Sequence, residues 1–294
     1  MGSLPTSSIP DLQRRSVEVI LAGQAPGGGY VASPTFATYG YSWLRDGSFV
    51  ADAMSLVGEV ESAEAFFGWV ARIVESGLGF VARYTMAGEL DRSEWPHRQH
   101  DGWGLWLWAV RGHCERHRRP HRWQAAAAMT ERHLEAVRHE PCVDWWEERE
   151  GIHAATLACI AAGLGDKPDL KRAEKRLDGS LLVLPLLGFG GVEVGSLVSP
   201  GGGVHRHLDD TYYGGGEWLL LTAMLGLAEP DRAEECLGWI AEHATADGLL
   251  PEQSQDHLLA PERYDEWVAK WGPPPCPLLW SHAMFLTLAH ELGA

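Results

Sequence analysis

The sequence predicts an all-α protein, a ring of inner helices wrapped by outer ones. Three observations carry that reading: helical periodicity recurs along the chain, tight and long connections alternate, and each long connection leads into a more apolar helix. In order, the helical segments are Asp11 to Gln24, Asp46 to Val57, Glu61 to Ser76, Gly102 to Glu115, Trp123 to Arg138, Ile152 to Leu164, Trp218 to Leu227, Asp231 to His243 and Leu278 to Leu292. Within Glu61 to Ser76, Ala63, Phe66, Phe67, Val70, Ile73 and Val74 fall at i, i+3, i+4, i+7 spacing, the stripe of a helix with one wet face. Gly102 to Glu115 and Ile152 to Leu164 are apolar nearly all round, as helices buried on every side must be. The stretch VLPLLGFGGVEVGSLV, inside Leu181 to Gly203, reads as one more helix pair shortened by its glycines. No alternating strand-rich domain appears.

The connections say how the helices are arranged. Tight joints lie near Gly58, Pro120, Gly165 and Pro230; long ones span Pro26 to Trp43, Gly77 to Asp101, His139 to Glu150, Pro200 to Gly216 and Ala246 to Pro277. Short joints make antiparallel neighbours, so the long joints gather at one end, over the N-termini of the inner helices. Long loops collected on one face of a scaffold are where sites are built.

Composition narrows the chemistry. Of 294 residues, 45% are hydrophobic and 22% charged, as in an ordinary globular protein. Lys plus Arg number 24 against 40 Asp plus Glu, a formal charge of −16 that disfavours nucleic acid and anionic lipid. No apolar run approaches the roughly 20 residues a membrane span needs, and the N-terminus lacks a secretory signal pattern. MGSLPT at the start loosely fits a myristoylation pattern but has no second anchoring signal beside it. The five cysteines are scattered without a CxxC pair, which points to reduced thiols and a cytoplasmic location. The oligomeric state is not legible.

The long loops carry aromatic residues beside carboxylates and arginines: Tyr39-Gly40-Tyr41-Ser42-Trp43-Leu44-Arg45-Asp46, then Trp95 to Asp101, Asp144-Trp145-Trp146-Glu147-Glu148-Arg149, His205 to Tyr213, and Leu250-Pro251-Glu252-Gln253. Flat stacking walls with bidentate polar groups suit a sugar. Two carboxylates on different loops are what glycoside hydrolysis demands, one as acid and one as base. Glu147 sits between aromatic neighbours and a second carboxylate, and both desolvation and a like charge would raise its pKa, as a general acid needs. Each cluster alone has a plainer explanation: Glu147-Glu148 as charge at a helix N-terminus, Asp46 and Asp101 as N-caps, Arg45-Asp46 as a local ion pair. Their joint occurrence on one face favours the site.

Taken in series, these residues resemble glycoside hydrolase family 15, from about Tyr39 to His290. The motifs are YGYSWLRD at Tyr39 to Asp46, WEER at Trp146 to Arg149, DDTYYGG at Asp209 to Gly215, LPEQ at Leu250 to Gln253 and LWSHAMFL at Leu279 to Leu286. The resemblance implies an (α/α)6 barrel, here with one helix pair shortened, and an inverting exo-acting α-glucosidase needing no cofactor and no metal. It further implies Glu147 as general acid, Glu252 as general base, and Arg45 with Asp46 gripping the terminal glucose. Tyr39 is expected beside the catalytic water, Trp280 along the same subsite, and Trp43 and Trp146 within the matched substrate-binding motifs. Glu148 and Arg206 are expected on the leaving side, and Trp95 above the scissile bond. Trp145 departs from the family pattern, in which a smaller aliphatic residue is common, and is expected to crowd the leaving-group subsite. The chain reads as one barrel over 1–294, without the N-terminal β-sandwich usual in bacterial members.

The expected substrate is a short α-glucoside of α-1,6, isomaltose type, cut to β-glucose; α-1,4 glucoamylase or trehalase activity are the alternatives. From other classes come a sugar-binding protein on the same scaffold, another toroid enzyme such as a lyase or phosphorylase, and a metal enzyme using His205, His207, Asp209 and Asp210. Retention of both Glu147 and Glu252 argues against the first. The expected pH profile is a bell on the acidic side of neutral.

Overall fold

A computed structural model describes residues 8 to 294; the MGSLPT hexapeptide lies outside them. In chain order the helices are α1 (Ile9–Ala22), α2 (Leu44–Leu56), α3 (Val60–Ser76), α4 (Asp101–His117), α5 (Gln124–Val137), α6 (Ala154–Leu164), α7 (Val183–Leu186), α8 (Leu219–Ala228), α9 (Ala233–Glu242), α10 (Tyr264–Trp271) and α11 (Leu279–Glu291). Six of them close an inner ring: α2 packs on α4, α4 on α6, α6 on α7, α7 on α8, α8 on α11, and α11 back on α2. Outside it, α1 lies against α11, α3 against α2, and α9 against α8, with α5 between α3 and α6. The fold is the (α/α)6 barrel.

Sequence signals mark a few of the boundaries. Ser8 caps α1 through a bond from the Asp11 amide at 3.3 Å, with Pro10 in the first turn. Gly77 and Gly165 stop α3 and α6 in the left-handed conformation. The inner helices are buried nearly all round, as their composition demands. Where α4 meets α6 the backbones nearly touch: a Cβ on Gly104 would stand 2.2 Å from the Cys159 carbonyl oxygen. Only glycine permits that contact.

Two parts of the ring differ from the sequence reading. Leu181 to Gly203 is not a helix pair. Its inner member is the single turn α7, and beyond it the chain makes only a 3-10 turn, Gly195–Leu197. Pro185 blocks extension, and Gly188 and Gly190 adopt φ of 81° and 94°, incompatible with a continuing helix. The outer position after α6 likewise holds only a 3-10 turn, Leu170–Arg172. Conversely, the long joint Ala246 to Pro277 contains a helix the periodicity did not reveal, α10.

The long loops do gather over the inner N-termini, where two-residue strands tie them together. Glu217–Trp218 pairs antiparallel with Val204–His205 on one side and Gln253–Ser254 on the other. At the far mouth of the ring a cavity of about 460 Å³ opens among α2, α4, α7, α8 and α11. Among the described residues no helix is long and apolar enough to cross a membrane, and the five cysteines are unbonded.

Candidate active site

One pocket at the loop end is lined by Tyr39, Trp43, Arg45, Asp46, Trp145, Trp146, Glu147, Arg206, Glu252 and Trp280, together with Trp218 and a few apolar groups. Almost all the residues expected from the sequence therefore converge. Glu148 and Trp95 line an adjoining vestibule of about 310 Å³ that shares Tyr39, Trp146, Glu147 and Arg206 with the pocket.

Arg45 and Asp46 occupy the first turn of α2. The Arg45 guanidinium is buried, donates to Asp101 Oδ2 at 3.0 Å, and lies over the rings of Trp145 and Trp280. Asp101 opens α4 and is itself held by the Gly102 amide at 2.7 Å, so it serves as both helix-end acceptor and anchor for Arg45. That leaves Arg45 Nε and Asp46 Oδ2 3.6 Å apart, each buried without a hydrogen-bond partner. Around the same pocket, Glu252 Oε2 and the indole nitrogens of Trp145, Trp218 and Trp280 are also buried and unpartnered. Buried polar atoms are normally satisfied, so this concentration fits a ligand rich in hydroxyl groups.

Glu147 stands in a turn that begins at Asp144. Its amide donates to the Asp144 carbonyl at 3.1 Å, and the Asp144 carboxylate accepts from the Glu148 amide at 2.9 Å. The turn forces Glu147 to φ 60°, a costly conformation for a residue with a side chain and one that structures keep mainly at functional sites. Trp43 Nε1 donates to Glu147 Oε1 at 2.8 Å, and Arg45 Nη2 approaches the same oxygen at 3.5 Å. Oε2 is thereby the oxygen free to carry a proton. Burial pushes the Glu147 pKa up to about 7, against the pull of Arg45 and Trp43.

Glu252 is 2% exposed and precedes the strand Gln253–Ser254. Its amide donates to the Pro275 carbonyl at 2.9 Å and its carbonyl accepts from Leu219. The same small sheet thus places Arg206, Trp218 and Glu252 side by side. Burial raises Glu252 to about 8, while Arg206 and the hydroxyls of Tyr39 and Tyr212 draw it back. Those two phenols bond each other at 3.1 Å. Asp46, only 13% exposed at its side chain, is raised by desolvation to about 6 despite Arg45.

On the vestibule side, Arg206 donates to both oxygens of Asp210, at 2.8 and 2.6 Å, and to Glu148 Oε1 at 2.9 Å. Its guanidinium lies over Trp146, Tyr212 and Trp218. His207 and Arg206 hold Glu148 down to about 2, so it is a fixed anion. Glu148, His207 and Asp210 are close enough to share a metal ion, but the Arg206 guanidinium already bridges both carboxylates and supplies the positive charge. Trp95 packs edge-on against Trp43, and Arg83 is stacked over both.

Trp145 is a correction. It is 2% exposed and lines the inner pocket under Arg45, packed on Phe49 and Trp280, and it does not line the vestibule. The sequence reading had it at the leaving-group subsite; its ring instead walls the inner pocket. The sequence reading gave no sugar-binding role to Asp101, Asp210, Tyr212 or Trp218, although Asp101 and Tyr212 lay in its loop clusters and Asp210 was a candidate metal ligand. Asp210 could have been found, four residues after Arg206 in a strongly acidic motif; the others carry no such signal.

Two carboxylates on separate loops that open into one aromatic-walled pocket supply an acid and a base across the same space, and the protein is a glycoside hydrolase. The chain belongs to glycoside hydrolase family 15. It is 38% identical to an isomaltose glucohydrolase of Kribbella flavida, the match covering 100% of this chain and 95% of that protein. A wild-type glycosidase structure is 36% identical, covers 100% of this chain and 99% of its own, and superposes with a TM-score of 0.90; a variant glycosidase structure at 35% identity and the same TM-score holds glucose. A bacterial glucoamylase bound to acarbose, 17% identical with a TM-score of 0.72 over 95% of this chain and 55% of its own, shares the fold. No family model matches the chain.

Proposed function

We propose that the protein removes the non-reducing-end glucose from short α-glucosides of isomaltose type, with inversion to β-glucose, Glu147 acting as general acid and Glu252 as general base. The carrying observation is that Glu252, buried, and Glu147, nearly so, line one pocket whose inner end presents unpartnered Arg45 and Asp46 atoms. Arg45 and Asp46 grip the far hydroxyls of the terminal glucose, with Trp145 and Trp280 as its walls. Tyr39 and Tyr212 orient a water against Glu252, which takes its proton as oxygen attacks the anomeric carbon. Glu147 Oε2 delivers its proton to the departing glycosidic oxygen. Glu148, Arg206 and Trp95 receive the leaving sugar. The α-1,6 linkage is supported by the activity named for the Kribbella flavida relative.

Burial raises both members of the pair, Glu147 to about 7 and Glu252 to about 8, so protons leave them within one narrow pH range and the two titrate as a coupled pair. Such a pair still gives a bell-shaped profile. On this reading the described residues form one catalytic domain. The scattered, unbonded cysteines support a cytoplasmic location.

Proton NMR of the first product from isomaltose tests the proposal. Initial β-glucose is expected; initial α-glucose would overturn inversion, and faster turnover of maltose, starch or trehalose would overturn the linkage.

A further inference from the structure

Part of the vestibule wall is α10, the helix the sequence did not reveal: its Trp267, Lys270 and Trp271 line the same space as Trp95, Glu148 and Arg206. Trp267 is wedged edge-on against Tyr212 at 4.9 Å, which fixes the helix to the pocket rim. Trp271 is 45% exposed, an unusual surface position for so large an apolar ring. The Lys270 ammonium sits 5.8 and 5.0 Å from the Trp267 and Trp271 ring centres. Among the described residues it forms no salt bridge, although Glu147 and Glu148 line the same vestibule and the chain carries a net charge of −16. A cation held against indole faces and left unpaired at the mouth of a sugar pocket is a donor for hydroxyl groups.

We propose that Lys270, with Trp271 as its platform, is a specificity residue for the leaving sugar. Its ammonium donates to a hydroxyl of the released glucose unit, in the vestibule that Glu148 and Trp95 also line. The inference rests on the hydrolase reading above and names what that site selects. It acts on the part of the substrate that leaves, and α-glucosyl fluoride lacks that part.

The test compares kcat/KM for isomaltose and for α-glucosyl fluoride in the wild type, Lys270→Met and Trp271→Ala. Loss of a hydrogen bond from a charged donor is expected to lower the isomaltose-to-fluoride ratio about tenfold in Lys270→Met, with a smaller fall in Trp271→Ala. Equal falls on both substrates, or no change in the ratio in either variant, would overturn the assignment. A wild-type protein that cleaves neither substrate would instead overturn the hydrolase reading, and this one with it.

Discussion

The inner pocket and the vestibule are built from different materials. The pocket hangs on helix starts: Arg45 and Asp46 open α2, Asp101 opens α4, and Trp280 lies in the first turn of α11. Its charges are largely withdrawn from solvent, and Arg45 is anchored to Asp101. The vestibule is assembled from loop residues and α10, and its polar groups are partly wet; Glu148, for example, has 37% of its side chain exposed. A rigid, dry pocket can discriminate one sugar ring and hold two carboxyls at raised pKa values. A wetter rim contributes affinity and selects leaving groups. Positions under the chemistry should therefore be intolerant of change, and positions on the rim tunable.

The largest effects should come from the carboxyl pair. Glu147→Gln or Glu252→Gln should each lower kcat on isomaltose by about 10²–10⁴-fold, with glucose binding retained by calorimetry; near-normal turnover by either variant would break the contrast at its base. Asp46→Ala comes next, because it removes an inner-pocket contact made in ground and transition states alike. A charged hydrogen bond of about 1.5–3 kcal/mol corresponds to roughly ten- to a hundredfold in kcat/KM, equally for isomaltose and α-glucosyl fluoride. Trp95→Ala should cost isomaltose roughly five- to tenfold through lost stacking and spare the fluoride, the signature of a rim residue. If Asp46→Ala spared the fluoride as well, pocket and rim would not be separable.

The smallest effect concerns pH. Glu252 must be ionised, so activity falls as pH drops below the lower limb; Glu147 must be protonated, so it falls above the upper one. With the pair at about 7 and about 8, kcat/KM should peak near neutrality, above the acidic optimum expected from carboxyls alone, and lose only about two- to threefold one pH unit from the peak. A maximum well below neutrality would show that water enters the pocket and relieves the burial that raises both groups.

What the sequence made legible follows the same division. The inner helices announce themselves because they are apolar all round, and the pocket residues sit at their starts, in motifs that can be recognised one by one. The rim was half visible. Glu148 lies in one of those motifs and Arg206 and Trp95 in the aromatic and charged loops beside them, but α10 has eight residues, none of them buried, and its tryptophans belong to no stripe long enough to count as a helix. The glycine-rich stretch from Leu181 to Gly203 misled in the opposite sense: its apolar content implied helix, while Pro185 and the left-handed Gly188 and Gly190 forbade it. Trp145 shows a third limit, since a residue two positions before a motif glutamate can line the inner pocket as easily as the vestibule.

The floor of the pocket has a consequence for the order of events. Trp280 stacks on Phe49 at 5.4 Å, and Trp145 packs against both, while Phe49 lines the cavity at the far mouth of the ring. A layer of aromatic rings therefore shuts the barrel partway along its axis, and the vestibule is the door for both entry and exit. The leaving sugar stands between the cleaved glucose and solvent, so it departs first and glucose second. A chain cannot slide inward while glucose still occupies the inner subsite. Each cut must release the shortened substrate completely, and glucose that lingers blocks the next chain end.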